Sequence, residues 1–253
     1  MLTSLPLDFE AAVEQAAGLG FTHVDVVAQA ARPQSHFEVL ADTSVVVSCC
    51  SIGRGLPDEQ ALDAFDIANR REAVESMKQQ LADAALLGAT FGYVVSGKDA
   101  SAEGVARFAE SCAILADFAA GRMVKLCVEH IPGRALSTAK ATLEWLEQLA
   151  HPNLFLLLDI GHCLITGENP AELIHLAGNR LAYVHFDDND GAGDLHWPLL
   201  TGKLTEASLR GTLEALFRAG YRSPLALELN PGNADPIAAL HEGKKVLHRL
   251  TPA

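Results

Sequence analysis

Four residues of types that bind divalent metals each stand at the end of a short apolar segment. Glu129 ends KLCVE, Asp159 ends LFLLLD, His185 ends LAYVH and Glu228 ends LALE. Three carboxylates and one imidazole form an oxygen-rich donor set, which suits Mn²⁺, Mg²⁺ or Co²⁺ and also accepts Zn²⁺. Three carboxylates buried together without a cation would repel one another and lose their hydration. We therefore predict one divalent metal ion at these residues, with Mn²⁺ as the first choice.

A second set of polar residues lies close to the first in sequence. His162 follows Asp159 by three residues in the segment DIGH, and Asp194 and His196 alternate in the glycine-rich segment GAGDLHWPLLTGK. Such a set can hold a second metal or bind the hydroxyl groups of a substrate. The alternative is a loop held by local hydrogen bonds of its aspartates.

Two further residues are candidates for contact with a substrate. Trp197 follows the alternating acid and histidine, where its ring can stack on a sugar or simply cover the loop. His130 directly follows Glu129, so it either contacts the substrate or supports the neighbouring ligands. We include both among the predicted substrate-binding residues, with His162, Asp194 and His196.

Short apolar segments that alternate with amphipathic ones must position these side chains. The apolar segments resemble parallel strands that are buried on both faces. They span residues 21–28, 44–51, 90–97, 125–130, 154–160, 181–188 and 225–230. The amphipathic segments predict helices over residues 8–19, 58–87, 101–121, 137–150, 170–178, 205–219 and 235–249.

This alternation predicts a (β/α)₈ TIM barrel, in which the carboxyl ends of the strands converge on one face. An eighth strand would have to come from residues 1–6, so either the first strand is short or the recorded start lies downstream of the true one. No linker or change in composition divides the chain, which predicts a single domain over residues 1–253. A doubly wound sheet is the competing fold, but Gly53-Arg54-Gly55 lacks the remaining glycine of a phosphate-binding loop.

The composition disfavours several classes of partner. A net charge of −13, with 19 basic residues scattered among 32 acidic ones, argues against a nucleic-acid partner. No apolar run is long enough to span a membrane, and the first residues do not resemble a signal peptide. The five cysteines lack metal-type spacing, which predicts buried thiols in a cytoplasmic protein.

Four segments are similar to the sugar phosphate isomerase/epimerase family of the xylose-isomerase-like TIM-barrel superfamily. They are VEHIPG, LLLDIGHCLITGENP, YVHFDDNDGAGDLHWPLLTGKLT and LALELNP, and the resemblance extends over residues 9–248. It implies a metal-dependent isomerase or epimerase of carbohydrate metabolism that acts on a small sugar or ketose-like substrate. It also implies that His162 contacts a substrate oxygen, and that the chain forms a homodimer.

The resemblance further implies a reaction. A proton is removed beside a carbonyl, and the metal stabilises the enediolate as a Lewis acid. Glu129 and Glu228 then exchange the proton as general base and acid.

Two departures leave the substrate open. Ala135 stands where ketose 3-epimerases carry a second carboxylate, and residues 187–190 read Asp-Asp-Asn-Asp where an arginine is expected. Related dehydratases of the inosose and dehydroshikimate type, and hydroxypyruvate isomerases, have the same four metal ligands.

Two alternatives belong to other functional classes. An endonuclease IV-type AP endonuclease also carries the counterparts of His162, Asp194 and His196, but it needs histidines at the ends of two earlier strands. Residues 44–51 and 90–97 contain none. The other alternative is a barrel that binds a sugar without turnover.

Overall fold

The apolar segments form parallel strands in a computed structural model that describes residues 1–252. The strands pair in chain order, each with the next, to make one seven-stranded sheet. They are β1 His23–Val27, β2 Val46–Ser51, β3 Phe91–Val95, β4 Lys125–Glu129, β5 Leu154–Asp159, β6 Leu181–Phe186 and β7 Leu225–Leu227. This is the predicted TIM barrel, nearly closed, with every strand ending at the same face.

Helices alternate with the strands along the chain, the first of them before β1, and pack around the sheet. They are α1 Phe9–Gly18, α2 Gln34–Thr43, α3 Ile67–Leu86, α4 Ala102–Ala120, α5 Ala139–Leu149, α6 Ile160–Thr166, α7 Pro170–Ala177, α8 Glu206–Arg218 and α9 Pro236–Leu250. Most begin at a side chain that accepts a hydrogen bond from a free backbone N–H of the first turn, as Ser101 does at the start of α4.

The helix prediction was wrong at three places. Residues 58–66 are not helical, because α3 begins only after Asp66, whose carboxylate accepts hydrogen bonds from the backbone of Ala68 and Asn69. Helix α2, which connects β1 to β2 and packs against α1, was not predicted. Helix α6 was also missed, because the DIGH segment begins a helix directly at the end of β5.

Residues 1–6 do not form the eighth strand that the sequence left open. Leu2–Ser4 form a 3₁₀ helix instead, and the hydroxyl oxygen of Ser4 accepts a hydrogen bond of 2.8 Å from the backbone N–H of Leu229. This segment lies beside the gap between β1 and β7, which are not paired with each other. The barrel therefore has seven strands and is nearly closed.

The core has an inner and an outer part. Side chains that include Phe91, Tyr93, Leu157 and Tyr183 form the smaller cluster of buried residues, and the larger cluster joins the strands to the helices. All five cysteines are buried and free, as predicted. None of the helices in residues 1–252 combines the length and the apolar composition that crossing a membrane requires.

Candidate metal centre

The four predicted metal ligands meet at the carboxyl ends of four neighbouring strands. Glu129 and Asp159 are the last residues of β4 and β5, His185 is the penultimate residue of β6, and Glu228 directly follows β7. The strand register places Asp159 opposite His185. One ligand atom from each of the four residues lies within 4.8 Å of all the others. The barrel thus brings together residues that are far apart in the chain.

Contacts inside this quartet fit a divalent cation. The Nδ1 atom of His185 lies 2.6 Å from Oε2 of Glu228 and 3.4 Å from Oε1 of Glu129. The directions of these contacts are not those of hydrogen bonds. Within residues 1–252, Nδ1 of His185 and Oδ2 of Asp159 are both buried without a hydrogen-bond partner. Buried polar atoms are normally paired, and a cation at their common point would pair these.

Burial and neighbouring charges shift the pKa values of the two glutamates of the quartet in opposite directions. Burial, with the charge of Glu228, raises the pKa of Glu129. Burial acts in the same direction on Glu228, but the charge of His185 lowers the pKa of that carboxyl to about 2. The raised pKa of Glu129 reflects acidic groups that share one buried space, and a cation there would lower it.

A buried aspartate that the sequence analysis missed lies behind His185. Oδ2 of Asp25, on β1, is 3.7 Å from Nε2 of His185. Its Oδ1 accepts hydrogen bonds from the hydroxyls of Tyr183, at 2.6 Å, and Ser48, at 2.7 Å. A carboxylate behind the imidazole commonly orients a metal-binding histidine. The signal that could have found Asp25 is a single acidic residue inside an otherwise apolar strand.

The second predicted set also comes together. Nε2 of His162 and Nε2 of His196 each lie 3.2 Å from Oδ1 of Asp194. Nδ1 of His162 is 2.7 Å from the carbonyl oxygen of His130, to which it donates a hydrogen bond. This bond turns the other ring nitrogen of His162 towards Asp194. The three side chains have the spacing of a possible metal site, and they equally offer donors and acceptors to hydroxyl groups.

His196 is held in an unusual backbone conformation between two aspartates. Its φ is 48°, which few residues other than glycine adopt, and such conformations concentrate at functional sites. Its Nδ1 also contacts Oδ2 of Asp187. Burial opposes a charged imidazole, but Asp187 and Asp194 raise the pKa of His196 to about 12. Burial and the charge of Asp159 raise the pKa of Asp187 to about 8.

The two remaining candidates have clear contacts. His130 is fully buried, and its Nε2 accepts a hydrogen bond of 3.3 Å from the backbone N–H of Asp159. Burial lowers the pKa of His130 to about 3, so the ring is neutral. Trp197 is half-buried and its backbone pairs with that of Asp188. Contact of either residue with a substrate stays a prediction.

The acidic run after β6 has a structural role. The carboxylate of Asp188 accepts hydrogen bonds from the backbone N–H groups of Gly202, at 2.7 Å, and Leu204, at 2.8 Å. The side-chain amide of Asn189 donates to the carbonyl oxygen of Gly161, at 2.7 Å. These bonds close the loop that carries Asp194 and His196, defined here as the 188–204 loop. They also fasten it to the DIGH segment.

A cleft of about 350 Å³ opens beside the quartet. Glu129 and Glu228 line it, together with residues of the loops that follow β2, β3 and β4. Within the described chain, neither His162 nor the segment 194–197 belongs to its lining. The two glutamates are therefore the predicted site residues that this cleft exposes.

One protein family and two curated proteins are similar to this chain in sequence. A model of the family described as xylose isomerase-like TIM barrel matches residues 13–250. L-ribulose 3-epimerase of Methylomonas sp. (strain DH-1) is 32% identical over 118 residues, which cover 45% of this chain and 38% of that protein. Inosose dehydratase of Geobacillus kaustophilus (strain HTA426) is 39% identical over 66 residues, or 26% of this chain and 21% of that protein. Each alignment spans less than half of the curated relative.

Solved structures share the fold over nearly the whole chain. D-allulose 3-epimerase from Methylomonas sp. superposes with a TM-score of 0.81 at 21% identity, covering 96% of this chain and 91% of that one. The 3-keto-D-glucoside 4-epimerase from E. coli superposes with a TM-score of 0.82 at 16% identity, covering 97% and 95%.

Proposed function

Because the chain belongs to the xylose isomerase-like TIM barrel family, we propose that it is a divalent-metal-dependent isomerase or epimerase of a small sugar or ketose-like substrate. The observation that carries the proposal is the buried convergence of Glu129, Asp159, His185 and Glu228 beside a cleft. The partial match to an L-ribulose 3-epimerase supports the same class of reaction.

The proposed metal is held by the quartet. Its carboxylate-rich donor set favours Mn²⁺, with Mg²⁺, Co²⁺ and Zn²⁺ as alternatives. When bound, a divalent cation supplies Lewis-acid polarisation of a carbonyl group next to the carbon that loses its proton. His185 and Asp159 are fully buried and belong to the quartet, so in this scheme their role is to hold the ion.

The proposed proton transfers belong to Glu129 and Glu228. Both line the cleft, and they approach it from different strands, so one can remove the proton that the other returns. Five further residues are proposed to bind hydroxyl groups of the substrate. They are His162, Asp194, His196, Trp197 and His130. His162 adjoins the quartet through Asp159, and Oδ1 of Asp194 lies 3.2 Å from Nε2 of His162 and of His196.

Solvent deuterium exchange tests the proposed function directly. The full chain, loaded with Mn²⁺, is incubated in D₂O with L-ribulose, D-allulose, hydroxypyruvate and inososes, and deuterium beside the carbonyl is measured by mass spectrometry. We expect incorporation with at least one of them. Glu129→Gln and Glu228→Gln should each lower its rate by about 10²- to 10⁴-fold, because each removes one proton-transfer group. Glu147→Gln, an exposed change on α5, is the matched control and should have no effect.

Three results would contradict the proposal. Unchanged exchange in both glutamine variants would exclude the two-glutamate scheme. Exchange into none of the substrates, with metal bound, would favour a barrel that binds sugar without turnover. Metal-dependent incision of DNA that contains an abasic site would favour the nuclease alternative.

A dehydratase is the second candidate, because part of the chain matches an inosose dehydratase. The same site residues would remove the proton, and a hydroxyl group on the next carbon would then leave as water. The product distinguishes the two reactions: an epimer has the mass of its substrate, whereas a dehydrated product is lighter by one water.

A further inference from the structure

Three positively charged side chains line the cleft that also contains Glu129 and Glu228. They are Arg54, Lys98 and Arg134, from the loops that follow β2, β3 and β4. The chain as a whole carries a net charge of −13. The same lining contains four carboxylates, those of Asp58, Asp63, Glu129 and Glu228, so the cations that matter for an anionic ligand are those without an acidic partner.

Two of the three cations lack an acidic partner. Lys98 forms an exposed ion pair with Asp58, in which Nζ and Oδ1 are 3.1 Å apart. Within residues 1–252, no carboxylate oxygen lies within 4.0 Å of Arg54 or Arg134. Arg134 makes one side-chain hydrogen bond in that range, a long one of 3.3 Å to the carbonyl oxygen of Ser96. A guanidinium has five N–H donors, so most of those on Arg134 remain available.

The backbone holds Arg134 in place. Its own N–H donates to the carbonyl oxygen of Ile131, at 3.0 Å, and the next residue, Ala135, donates to Gly97, at 2.9 Å. The second bond joins the loop after β4 to the loop after β3. Arg134 is also half-buried, so its charge is partly withdrawn from water. A partly desolvated guanidinium on an anchored backbone is well suited to bind an anion.

Ser96 adds a buried hydroxyl beside this arginine. The residue is 1% exposed and lines the cleft, and its Oγ has no hydrogen-bond partner within the described chain. Its backbone N–H donates to the carbonyl oxygen of Glu129, at 3.1 Å. Ser96 thus contacts both Arg134 and a glutamate that is proposed to transfer the proton. A buried hydroxyl without a partner is costly unless a ligand satisfies it.

We infer that the substrate carries an anionic group, a phosphate or a carboxylate, which binds to Arg134 and Ser96 with Arg54 as a further cation. This inference rests on the proposed function, since it places the carbonyl end of the same substrate at Glu129 and Glu228. The fork of N–H groups on arginine matches the oxygens of either anion. Lys98 contributes less, because Asp58 already neutralises it.

Three ketoses that differ only at carbon 6 test whether the substrate carries an anionic group and whether that group is a phosphate or a carboxylate. The Mn²⁺-loaded full chain is titrated by calorimetry with D-fructose, D-fructose 6-phosphate and D-fructuronate. We expect at least one of the anionic ketoses to bind about 10- to 100-fold more tightly than D-fructose, because it gains charge-assisted hydrogen bonds. The anionic ketose that binds more tightly shows whether the group is a phosphate or a carboxylate. The difference in affinity between this ketose and D-fructose should shrink as ionic strength rises.

Variants then assign the preference to the cleft. Arg134→Gln and Arg54→Gln should each reduce the ratio of the affinity for the preferred anionic ketose to the affinity for D-fructose. The double variant should bring this ratio to about 1. Arg134→Lys keeps the charge without the fork and should give an intermediate ratio. Arg122→Gln, an exposed arginine that stacks on Phe118 outside the cleft, is the matched control and should leave the ratio unchanged. Unfolding curves of all variants establish that each is folded.

Equal affinities for the three ketoses, a preference that survives in the double variant, or no binding of either anion would overturn the inference. Its failure is distinguishable from failure of the proposed function. Arginine-dependent binding of an anionic ketose without deuterium exchange would overturn the proposed reaction alone. Exchange that is equally fast for neutral and anionic ketoses, in the wild type and in the arginine variants, would overturn the anion inference alone.

Discussion

At the scale of single residues, the polar groups around His185 determine how well the quartet can hold a cation. Its Nδ1 faces Glu129 and Glu228, and its Nε2 faces Asp25. Tyr183 fixes Asp25 by a hydrogen bond of 2.6 Å. The carboxylate of Asp25 therefore lies behind the imidazole, 3.7 Å from its Nε2, without belonging to the quartet.

Replacement of Asp25 should weaken metal binding. Asp25→Asn keeps the size of the side chain but removes the negative charge behind His185, which makes this ring a poorer ligand. We expect the dissociation constant for Mn²⁺ to rise by about 10- to 100-fold, measured by titration calorimetry. Asp42→Asn, an exposed change on α2, is the control and should not alter it. An unchanged affinity in folded Asp25→Asn protein would show that Asp25 does not position His185.

At the scale of elements, the 188–204 loop determines where Asp194 and His196 lie. Asp188 closes its base, and the backbone N–H of Lys203 donates to the carbonyl oxygen of Asn189, at 2.8 Å. The two ends of the loop pass so closely that a Cβ atom on Gly202 would lie 2.2 Å from that same carbonyl oxygen. Only glycine fits there without a shift of the backbone.

Gly202→Ala should therefore open the loop. The clash is with backbone rather than with a flexible side chain, so we expect the free energy of unfolding to fall by about 1–3 kcal/mol. Limited proteolysis should also cut within the loop faster than in the wild type. Gly211→Ala is the matched control: it lies in α8 with nothing near its Cβ, and it should raise stability by about 0.5–1 kcal/mol. Equal stability of the two variants would refute the close packing.

At the scale of the whole molecule, the quartet joins the ends of β4, β5, β6 and β7. An ion at this point would connect four strands of a sheet that is not closed between β1 and β7. Because the site forms only in the folded barrel, the binding free energy adds to the free energy of unfolding.

Chelation should therefore lower the melting temperature. A ligand at a hundred times its dissociation constant stabilises a protein by about 2.7 kcal/mol. For a chain of this size, we expect removal of the metal with EDTA to lower Tm by about 5–10 °C in scanning calorimetry. The shift should be smaller in Asp159→Asn, which lacks one ligand charge. A metal-loaded wild type whose Tm does not respond to EDTA would contradict the predicted site.

Local patterns were sufficient to predict the strands and the four residues of the quartet. Each of the seven strands is a short apolar segment, and Glu129, Asp159 and Glu228 each stand where such a segment stops. The barrel then follows, because parallel strands joined by helices bury both faces of the sheet. Helix α6 escaped prediction because Asp159 both ends a strand and caps the next helix, so no loop separates them.

The sequence by itself determined the type of fold and the chemical character of the quartet, because both depend on residues that are neighbours in the chain. Only the tertiary structure placed Asp25 behind His185 and Asp187 against His196. It also brought Arg54 and Arg134 into the cleft of Glu129 and Glu228. Most of these contacts join residues that are far apart in the chain, and the curvature of the sheet and the path of each loop decide which of them meet. The quartet was therefore visible in the sequence as four candidate ligands, whereas the buried aspartates and the arginines beside it were not.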